Sequence, residues 1–471
     1  MLALPFHATC SVNRPHLERF LNTCQRIAQA RQQSQLASIS LELPLIDPLT
    51  ALHILAQPGE RHFYWEKQGL GQLAGIGTAI ALVVTGEQRF QQARSFARRC
   101  LRRSHETGVT HLPFAGMHFC CGFTFFDQPA THSQESPGLF SPTTIWLPAV
   151  HIARRDRTCV CTFNLAIDDR TDLNTAIQRV WQVVHQLHVT PAPTSPAVGV
   201  GLHRLFDNPV NYQESVASAL ESIHQQKFRK IVLAHAVDAI AAQPFDPFAA
   251  LERLRQTHPD CYIFSLGNGS GQSFLGASPE RLLRVRDRHM VADALAGSFP
   301  RGKTPTEDIS LAKALLESDK ELREHRFVRD FIVDRLTRLG IHPQVSPVSV
   351  LQLSNIQHLW TKIEATLPPH IHMLNILEHL HPTPAVAGVP RDTACREIRR
   401  YETFDRALYA APVGWMDAEG NGDFLVGIRS ALIDGNRARL YAGAGIVAGS
   451  DPVRELAEIQ LKLQAMLKVL L

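Results

Sequence analysis

Hydrophobic and polar positions follow two periods along this chain, one typical of helices and the other of strands. In the first 190 residues, a helical pattern in RPHLERFLNTCQRIAQARQQ is followed by strand-like runs such as RHFYWEKQG, GMHFCCGFTFF and TTIWLPAVHIAR. A proline-rich segment, VTPAPTSPAVGVG, then keeps neither period. It is either a linker or a long surface loop within one body, and it separates the predicted parts 1–195 and 196–471.

The second part alternates helices and strands more regularly. The helix YQESVASALESIHQQKF precedes the strand KIVLAHAVDAI, and the helix DPFAALERLRQTH precedes the strands CYIFSLGN and SFLGASPE. After the strand HMVADALAGSF, the pattern predicts one long helix, DISLAKALLESDKELREHRFVRDFIVDRLTRLG, which ends at Gly340. A last helix begins at DPVRELAEIQLKLQAML, with Asp451 as its N-cap and Pro452 at its first position.

Composition and charge exclude several classes of protein. The 471 residues are 45% hydrophobic and 20% charged, and the net charge of +4 comes from basic residues scattered along the chain, so a nucleic-acid partner is not expected. No stretch approaches the roughly 20 apolar residues of a membrane span. The N-terminus lacks the features of a secretory signal. The nine cysteines, an odd number spread over a long chain with two local pairs (Cys120 with Cys121 and Cys159 with Cys161), favour reduced thiols. We therefore expect a cytoplasmic protein without a membrane partner.

Charged residues recur at helical spacing in two places. In the last helix Glu455, Glu458 and Lys462 share one face, and in the long helix Lys320 and Glu324 are spaced as a similar pair. Most such sets are solvated ion pairs. If Glu324 and Glu458 meet in space, however, their carboxylates, together with water and an anionic substrate, suit Mg²⁺.

Four further residues are candidates because of their surroundings. Lys230 precedes the apolar run IVLAHAV, which could desolvate its amine and make it a general base, although most strand-end lysines only extend to solvent. Glu280 follows Ser-Pro, a rigid approach that would fix one carboxyl group. His358 and Arg429 lie in apolar runs, where a structural role is the default. A buried guanidinium nevertheless needs an anionic partner, and a ligand is one candidate.

In this order, the motifs of the second part resemble those of the chorismate-utilising enzymes, and among them the isochorismate synthases. The resemblance extends from about residue 226 to the C-terminus and covers KIVLAH, GASPERLL, ALAGSFPRG, DKELREH, IQHLWT, LHPTPAVAGVP, FDRALYAAPVGW, GDFLVGIRSAL and YAGAGIVAGSDPVRELAEIQLKL. It implies an α+β fold like that of anthranilate synthase component I. Such a fold is one large body of two subdomains, with packed antiparallel sheets and outer helices, in which 1–195 completes the fold and 196–471 binds chorismate.

The resemblance also implies a role for each matching residue. Lys230 corresponds to the base that activates water, and Glu280 corresponds to the acid that protonates the departing hydroxyl group. Glu324 and Glu458 correspond to Mg²⁺ ligands, with Glu455 reaching the metal through water. The remaining matches correspond to residues that contact the substrate: Gly297, Ser298, His358, Ala385, Tyr409, Arg429, Gly443, Gly445 and Lys462.

Two positions distinguish among the reactions of the family. Aminodeoxychorismate synthases have a nucleophilic lysine where this chain has Ala296, and anthranilate and salicylate synthases have a threonine where it has Ala385. Alanine at the second position is typical of isochorismate synthases, which add water at C2 of chorismate with loss of the C4 hydroxyl. Tyr409, by contrast, is typical of salicylate synthases, which release salicylate and pyruvate. That activity and a catalytically silent chorismate-binding subunit are the alternatives.

We expect no glutaminase subunit, and we expect the protein to be a monomer or weak homodimer. Isochorismate feeds menaquinone or phylloquinone, catecholate siderophores and salicylate, and the sequence does not distinguish among these pathways.

Overall fold

The computed structural model describes residues 12–128, 140–190, 201–354 and 356–471. In these ranges the chain forms eleven helices: α1 (Arg14–Arg31), α2 (Pro48–Leu55), α3 (Arg89–Leu101), α4 (Leu173–Val189), α5 (Pro209–His224), α6 (Pro247–Thr257), α7 (Pro305–Glu317), α8 (Asp319–Arg338), α9 (Met373–Leu380), α10 (Arg391–Tyr401) and α11 (Pro452–Leu470).

The same ranges contain 23 strands: β1 (Gln35–Leu43), β2 (Arg61–Lys67), β3 (Gly71–Ile76), β4 (Ile80–Val84), β5 (Ser104–Gly108), β6 (His118–Phe123), β7 (Thr143–Leu147), β8 (Val150–Arg155), β9 (Thr158–Ile167), β10 (Leu202–Phe206), β11 (Lys230–Ala241), β12 (Tyr262–Asn268), β13 (Gln272–Ser278), β14 (Arg281–Arg286), β15 (His289–Pro300), β16 (Gln344–Val345), β17 (Ser349–Gln352), β18 (Ile356–Thr366), β19 (Gly388–Val389), β20 (Pro412–Asp417), β21 (Gly422–Val426), β22 (Ser430–Asp434) and β23 (Arg437–Val447).

The strands form two large sheets. The first has 13 strands in the order β10-β11-β23-β22-β13-β12-β2-β3-β8-β9-β1-β5, with β19 also paired to β11. The second has 10 strands in the order β16-β18-β15-β14-β21-β20-β6-β7-β4, with β17 also paired to β18. Every described pair is antiparallel except β1 with β5, which is parallel. The expected antiparallel sheets are therefore present.

Aromatic side chains pack the two sheets face to face. Trp65 of the first sheet meets Trp415 of the second edge to face, with ring centroids 5.6 Å apart. His151 of β8 and His118 of β6 also meet between the sheets, with ring centroids 4.9 Å apart and the rings tilted by 56°. A buried aromatic side chain removes roughly 150–250 Å² from water, so this layer supplies a large part of the hydrophobic stabilisation. The helices pack on the outer faces of the sheets.

Both predicted parts of the chain contribute strands to both sheets. β2 pairs with β12 in the first sheet through Phe63 and Leu266, and β6 pairs with β20 in the second through Cys120 and Trp415. The pairing joins the parts into one hydrogen-bonded body. The predicted boundary at 195/196 lies outside the described residues and stays a prediction.

The long helix predicted from Asp308 to Gly340 is in fact two helices. Ser318 interrupts it with an extended backbone, φ −75° and ψ 111°, and its side chain accepts a hydrogen bond from Glu321 N as the N-cap of α8. Serine satisfies an N-terminal backbone donor better than it continues a helix, which explains the break. Gly340, with φ +73°, lies just beyond the end of α8 as expected.

The last helix begins as the sequence predicts. Asp451 caps α11 by accepting hydrogen bonds from Val453 N and Arg454 N, and Pro452 is its first residue. No helix in the described part of the chain is long and apolar enough to cross a membrane.

Candidate active site

A cavity of about 150 Å³ brings together every predicted site residue except Lys230. β23 of the first sheet and β15 and β18 of the second reach it, and α8 and α11 add charged side chains. The predicted residues that line it are Glu280, Gly297, Ser298, Glu324, His358, Ala385, Tyr409, Arg429, Gly443, Gly445, Glu455, Glu458 and Lys462.

Lys230 lies directly behind the cavity wall. It is the first residue of β11, its side chain is fully buried, and its Nζ donates a hydrogen bond to Glu324 Oε1 at 2.7 Å. Glu324 in turn lines the cavity. The amine therefore contacts a carboxylate, and not only the hydrophobic neighbours that the sequence suggested. This salt bridge links β11 to α8.

The carboxyl group of Glu280 lies buried at the cavity, 4% exposed. Its backbone is fixed on both sides, since Glu280 N donates to Ser278 Oγ at 3.2 Å and its carbonyl accepts from Val426 N at 3.1 Å. Burial raises the pKa of Glu280 to about 8, with Asp293 adding to the increase and Lys230 opposing it. The group is therefore mostly protonated at pH 7 and is able to donate a proton.

Ser298, His358 and Arg429 form a hydrogen-bonded row on the wall. Arg429 Nη2 lies 3.0 Å from His358 Nε2, and because a guanidinium can only donate, that ring nitrogen accepts. His358 Nδ1 therefore has the hydrogen and donates it to Ser298 Oγ at 2.8 Å. Burial, followed by the charges of Arg429 and Lys462, holds the pKa of His358 well below its usual range. The imidazole is neutral.

Arg429 lines the cavity and has one buried donor without a partner in the described part of the chain. Its Nη1 is buried and has no hydrogen-bond partner among the described residues. Burial also lowers the pKa of Arg429. Nearby on the wall, Lys462 Nζ donates to Gly443 O at 3.0 Å and to Glu458 Oε1 at 2.7 Å. A carboxylate ligand would supply the acceptor that Arg429 lacks.

Four glutamates form a carboxylate wall on one side of the cavity: Glu321, Glu324, Glu455 and Glu458. Burial raises the pKa of Glu321 and of Glu455, and in both cases neighbouring carboxylates of the wall add to the increase. Although burial opposes it, Lys462 lowers the pKa of Glu458. The wall thus concentrates negative charge that a cation would stabilise.

Glu321 is the charged wall residue that sequence reasoning left out of the site. It is 8% exposed, and its Oε2 accepts a hydrogen bond from Ser298 N at 3.0 Å. Its position three residues before Glu324 places both on one face of α8, a signal that the sequence did contain.

The predicted pairing of Lys320 with Glu324 is wrong. Lys320 Nζ instead lies 3.8 Å from Glu321 and 4.0 Å from Glu455. Glu324 points inward to Lys230. A fully buried ammonium needs the carboxylate more than an exposed lysine does, so the tertiary contact replaces the local one.

The donor set of the carboxylate wall fits Mg²⁺, which prefers carboxylate oxygens and water. As the side chains stand, no three His, Cys, Asp or Glu residues within the described ranges are grouped to hold a metal ion. Lys230 and Lys462 each bind one of the two predicted ligands at 2.7 Å. Both predicted ligands thus lie in a positively charged setting, and the metal stays a prediction.

Two glycines of β23 leave room for the charged groups. A Cβ at Gly445 would lie 2.7 Å from Glu324 Oε1 and 3.1 Å from Lys230 Cε, and one at Gly443 would lie 2.7 Å from the Tyr409 hydroxyl. Gly445 thus lets the strand pass close to the Lys230–Glu324 pair, and Gly443 leaves room for the Tyr409 hydroxyl.

We expect Gly445→Ala to displace the Lys230–Glu324 pair and to destabilise the protein by about 1–3 kcal/mol, as overpacking of a buried site does. The measurement is the midpoint of thermal unfolding. The matched control is Gly201→Ala, since a Cβ there has no atom within 4 Å. An unchanged midpoint for Gly445→Ala would contradict the close packing described.

Comparison with known proteins agrees with the resemblance. Residues 19–471 match the family described as chorismate binding enzyme. The chain is 35% identical over 450 residues to the salicylate biosynthesis isochorismate synthase of Pseudomonas aeruginosa, covering 94% of this chain and 92% of that protein. The structure of MenF, the menaquinone-specific isochorismate synthase from Escherichia coli, superposes with a TM-score of 0.78 at 27% identity, covering 97% of this chain and 100% of that one.

Anthranilate synthase component I from Streptococcus pneumoniae shares the fold, with a TM-score of 0.67 at 20% identity over 85% of this chain and 93% of that one. The expected α+β architecture is therefore confirmed. Because the family match covers nearly the whole chain and the cavity collects the residues that carry the resemblance, this protein belongs to the chorismate binding enzyme family.

Proposed function

We propose that this protein is an isochorismate synthase, which adds water at C2 of chorismate with loss of the C4 hydroxyl. The observation that carries the proposal is a buried, protonated Glu280 in the same cavity as Glu324, whose carboxylate holds the amine of Lys230. An acid and an amine within electrostatic range of each other are the pair that this reaction needs. The Pseudomonas and Escherichia relatives have names that include isochorismate synthase.

The proton transfers balance without another reactant. Lys230 has to be the neutral amine when the step begins, so the ammonium proton of its salt bridge with Glu324 leaves to solvent beforehand. The amine then accepts a proton from water as the water oxygen bonds to C2, the ring double bond shifts, and the C4–O bond breaks. Glu280 gives its proton to the departing oxygen, which leaves as water. Each such transfer by a positioned group contributes roughly 10²–10⁴-fold to the rate. Lys230 must return its proton and Glu280 must regain one before the next turnover.

The basic residues of the cavity suit the two carboxylates of chorismate. Arg429 lines the cavity, its Nη1 has no partner among the described residues, and the neighbouring His358 is neutral, so the guanidinium is the charged group there that a carboxylate would bind. Lys462 lies on the same wall. Tyr409 stacks on Tyr441 at 5.2 Å between ring centroids and presents a flat surface beside these groups.

Mg²⁺ belongs to this proposal as the bound metal. Glu324 and Glu458 would hold it, with Glu455 and Glu321 in reach through water, because these four carboxylates share one wall. When bound, the ion supplies positive charge for the ring carboxylate and neutralises the wall. Lys230 and Lys462, which contact Glu324 and Glu458, would lie beside the ion and the substrate.

Ala385 favours hydration over the salicylate synthase alternative. It lines the cavity without a hydroxyl group, next to Val386 and Tyr409. Tyr409, the residue typical of salicylate synthases, lines the same cavity. The formation of salicylate and pyruvate therefore has to be tested as well. The predictions of a cytoplasmic protein, of a monomer or weak homodimer, and of no glutaminase subunit stay predictions.

Purified protein incubated with chorismate and Mg²⁺ is expected to release isochorismate as the main product, and EDTA is expected to reduce the rate at least tenfold. Chromatography of the products is the measurement. Equal amounts of salicylate and pyruvate would favour the alternative, and no turnover of chorismate would refute the proposal. Activity that is unchanged by EDTA would contradict the proposed role of Mg²⁺.

The pKa of Glu280 predicts a decline in kcat above about pH 8, approaching tenfold per pH unit, because the deprotonated carboxylate has no proton to donate. Glu280→Gln should lower kcat by about 10²–10⁴-fold and abolish this alkaline decline. The control is Asp423→Asn, which removes a second buried carboxyl group with a pKa raised by burial to about 7 that does not line the cavity. A decline near pH 8 that persists in Glu280→Gln would assign it to another group.

A further inference from the structure

Strand β11, which starts with Lys230, is left without a neighbouring strand along part of one edge. On that edge it pairs with β19 at Lys230 and Ile231, and with β10 from Asp238 to Ala241. No strand in the described part of the chain pairs with this edge between those two segments. Unpaired backbone groups in a buried strand are costly, so they need other partners.

Side chains and one loop supply those partners. Val232 N donates to Ala387 O at 2.7 Å, and Val232 O accepts from Arg406 Nη2 at 2.8 Å. Ala234 N donates to Glu402 Oε1 at 2.8 Å. A loop and a buried ion pair thus continue the sheet where a strand is missing.

Arg406 is a fully buried cation whose bonds are nearly complete. It binds Glu402 through two nitrogens, with distances of 2.8 Å from Nε to Oε2 and 2.5 Å from Nη2 to Oε1. Its Nη1 donates to Val386 O at 2.8 Å, and its guanidinium lies 4.3 Å from the centroid of the Phe125 ring. Burying a charge is costly unless it is paired in this way, so the arrangement fixes one geometry.

The pair holds the cavity wall from behind. Val232, Val386 and Tyr409 line the cavity, whereas Arg406 and Glu402 do not. Arg406 binds the first two through their carbonyl groups, its own carbonyl accepts from Tyr409 N at 2.7 Å, and its guanidinium lies 5.9 Å from the Tyr409 ring. Val232 is two residues from Lys230, and Val386 directly follows Ala385.

We propose that Arg406, held by Glu402, is a positioning residue that fixes the strand of Lys230 relative to the wall at Ala385 and Tyr409, and so suppresses elimination after hydration. The inference rests on the proposed function. In the elimination, the C3–O bond of isochorismate breaks while the hydrogen on C2 moves to the methylene carbon of the enolpyruvyl group, which gives salicylate and pyruvate. The step needs no other reactant. It requires only that the enolpyruvyl group of isochorismate is free to fold toward C2. Because Arg406 holds the cavity wall at Val232, Val386 and Tyr409, that movement is restricted.

The test measures the ratio of salicylate to isochorismate that the Arg406→Lys protein forms from chorismate. Lysine keeps the charge but cannot bind Val232 O, Val386 O and Glu402 together. We expect the ratio to rise at least fivefold and kcat for isochorismate to fall about 10²-fold, as a misplacement of about 1 Å can do. A product ratio does not depend on how much of the protein is folded, so a purely structural loss would leave it unchanged.

Glu402→Gln is the second variant, since its amide oxygen can still accept from Ala234 N while the negative charge that holds Arg406 is lost. The ratio of salicylate to isochorismate should rise here too, by a smaller factor. If Arg406→Lys does not fold, this variant alone tests the inference. The matched control is Arg439→Lys, which alters another two-pronged arginine pair, with Asp238, on β23 and β11. Its product ratio should equal that of the native protein.

A native product ratio in the folded Arg406→Lys and Glu402→Gln proteins would overturn the inference, even if their rates are lower. A native protein that releases no isochorismate would refute the proposed function instead. The two failures are therefore distinguishable.

Discussion

The salt bridge between Lys230 and Glu324 is the interaction on which the rest of the site depends. A lysine amine with no exposed surface loses several kcal/mol of hydration free energy, which only a close carboxylate with good geometry can offset. The carboxylate comes from α8, so the pair fixes that helix against β11. Gly445 leaves room for the two to meet, because a Cβ there would lie only 2.7 Å from Glu324 Oε1.

The orientation of α8 then determines the electrostatics of the cavity. Glu321, one turn before Glu324, reaches Ser298 N and joins the glutamates of α11 in the carboxylate wall. Away from that wall, Glu280 is buried and protonated, and His358 is kept neutral by burial and by Arg429. One small cavity thus holds carboxyl groups in different protonation states, and their surroundings alone decide which state each adopts.

The sequence predicted well those features that depend on local chemistry. The capped start of α11, the Ser-Pro approach to Glu280 and the antiparallel sheets all follow from short motifs or from resemblance. Helical spacing predicted the wrong ion pair where a residue distant in sequence competed for the same carboxylate. The helical pairing of Lys320 with Glu324 is locally reasonable, but the buried amine of Lys230 takes the carboxylate. The hydrophobic period continues across Ser318, so the pattern predicted one helix. The backbone is nevertheless extended at Ser318, because its side chain caps the start of α8. Arg406 has no signal of its own in one sequence, since its role depends on a gap beside β11.

In the proposed reaction, water from solvent becomes the C2 hydroxyl of the product, and turnover of chorismate in H₂¹⁸O tests this most directly. Mass spectrometry of the isochorismate should show one ¹⁸O atom, located on the ring, with the C4 oxygen lost. Isochorismate without ¹⁸O would mean that the C4 oxygen had been transferred within the substrate. That result would contradict the roles assigned to Lys230 and Glu280.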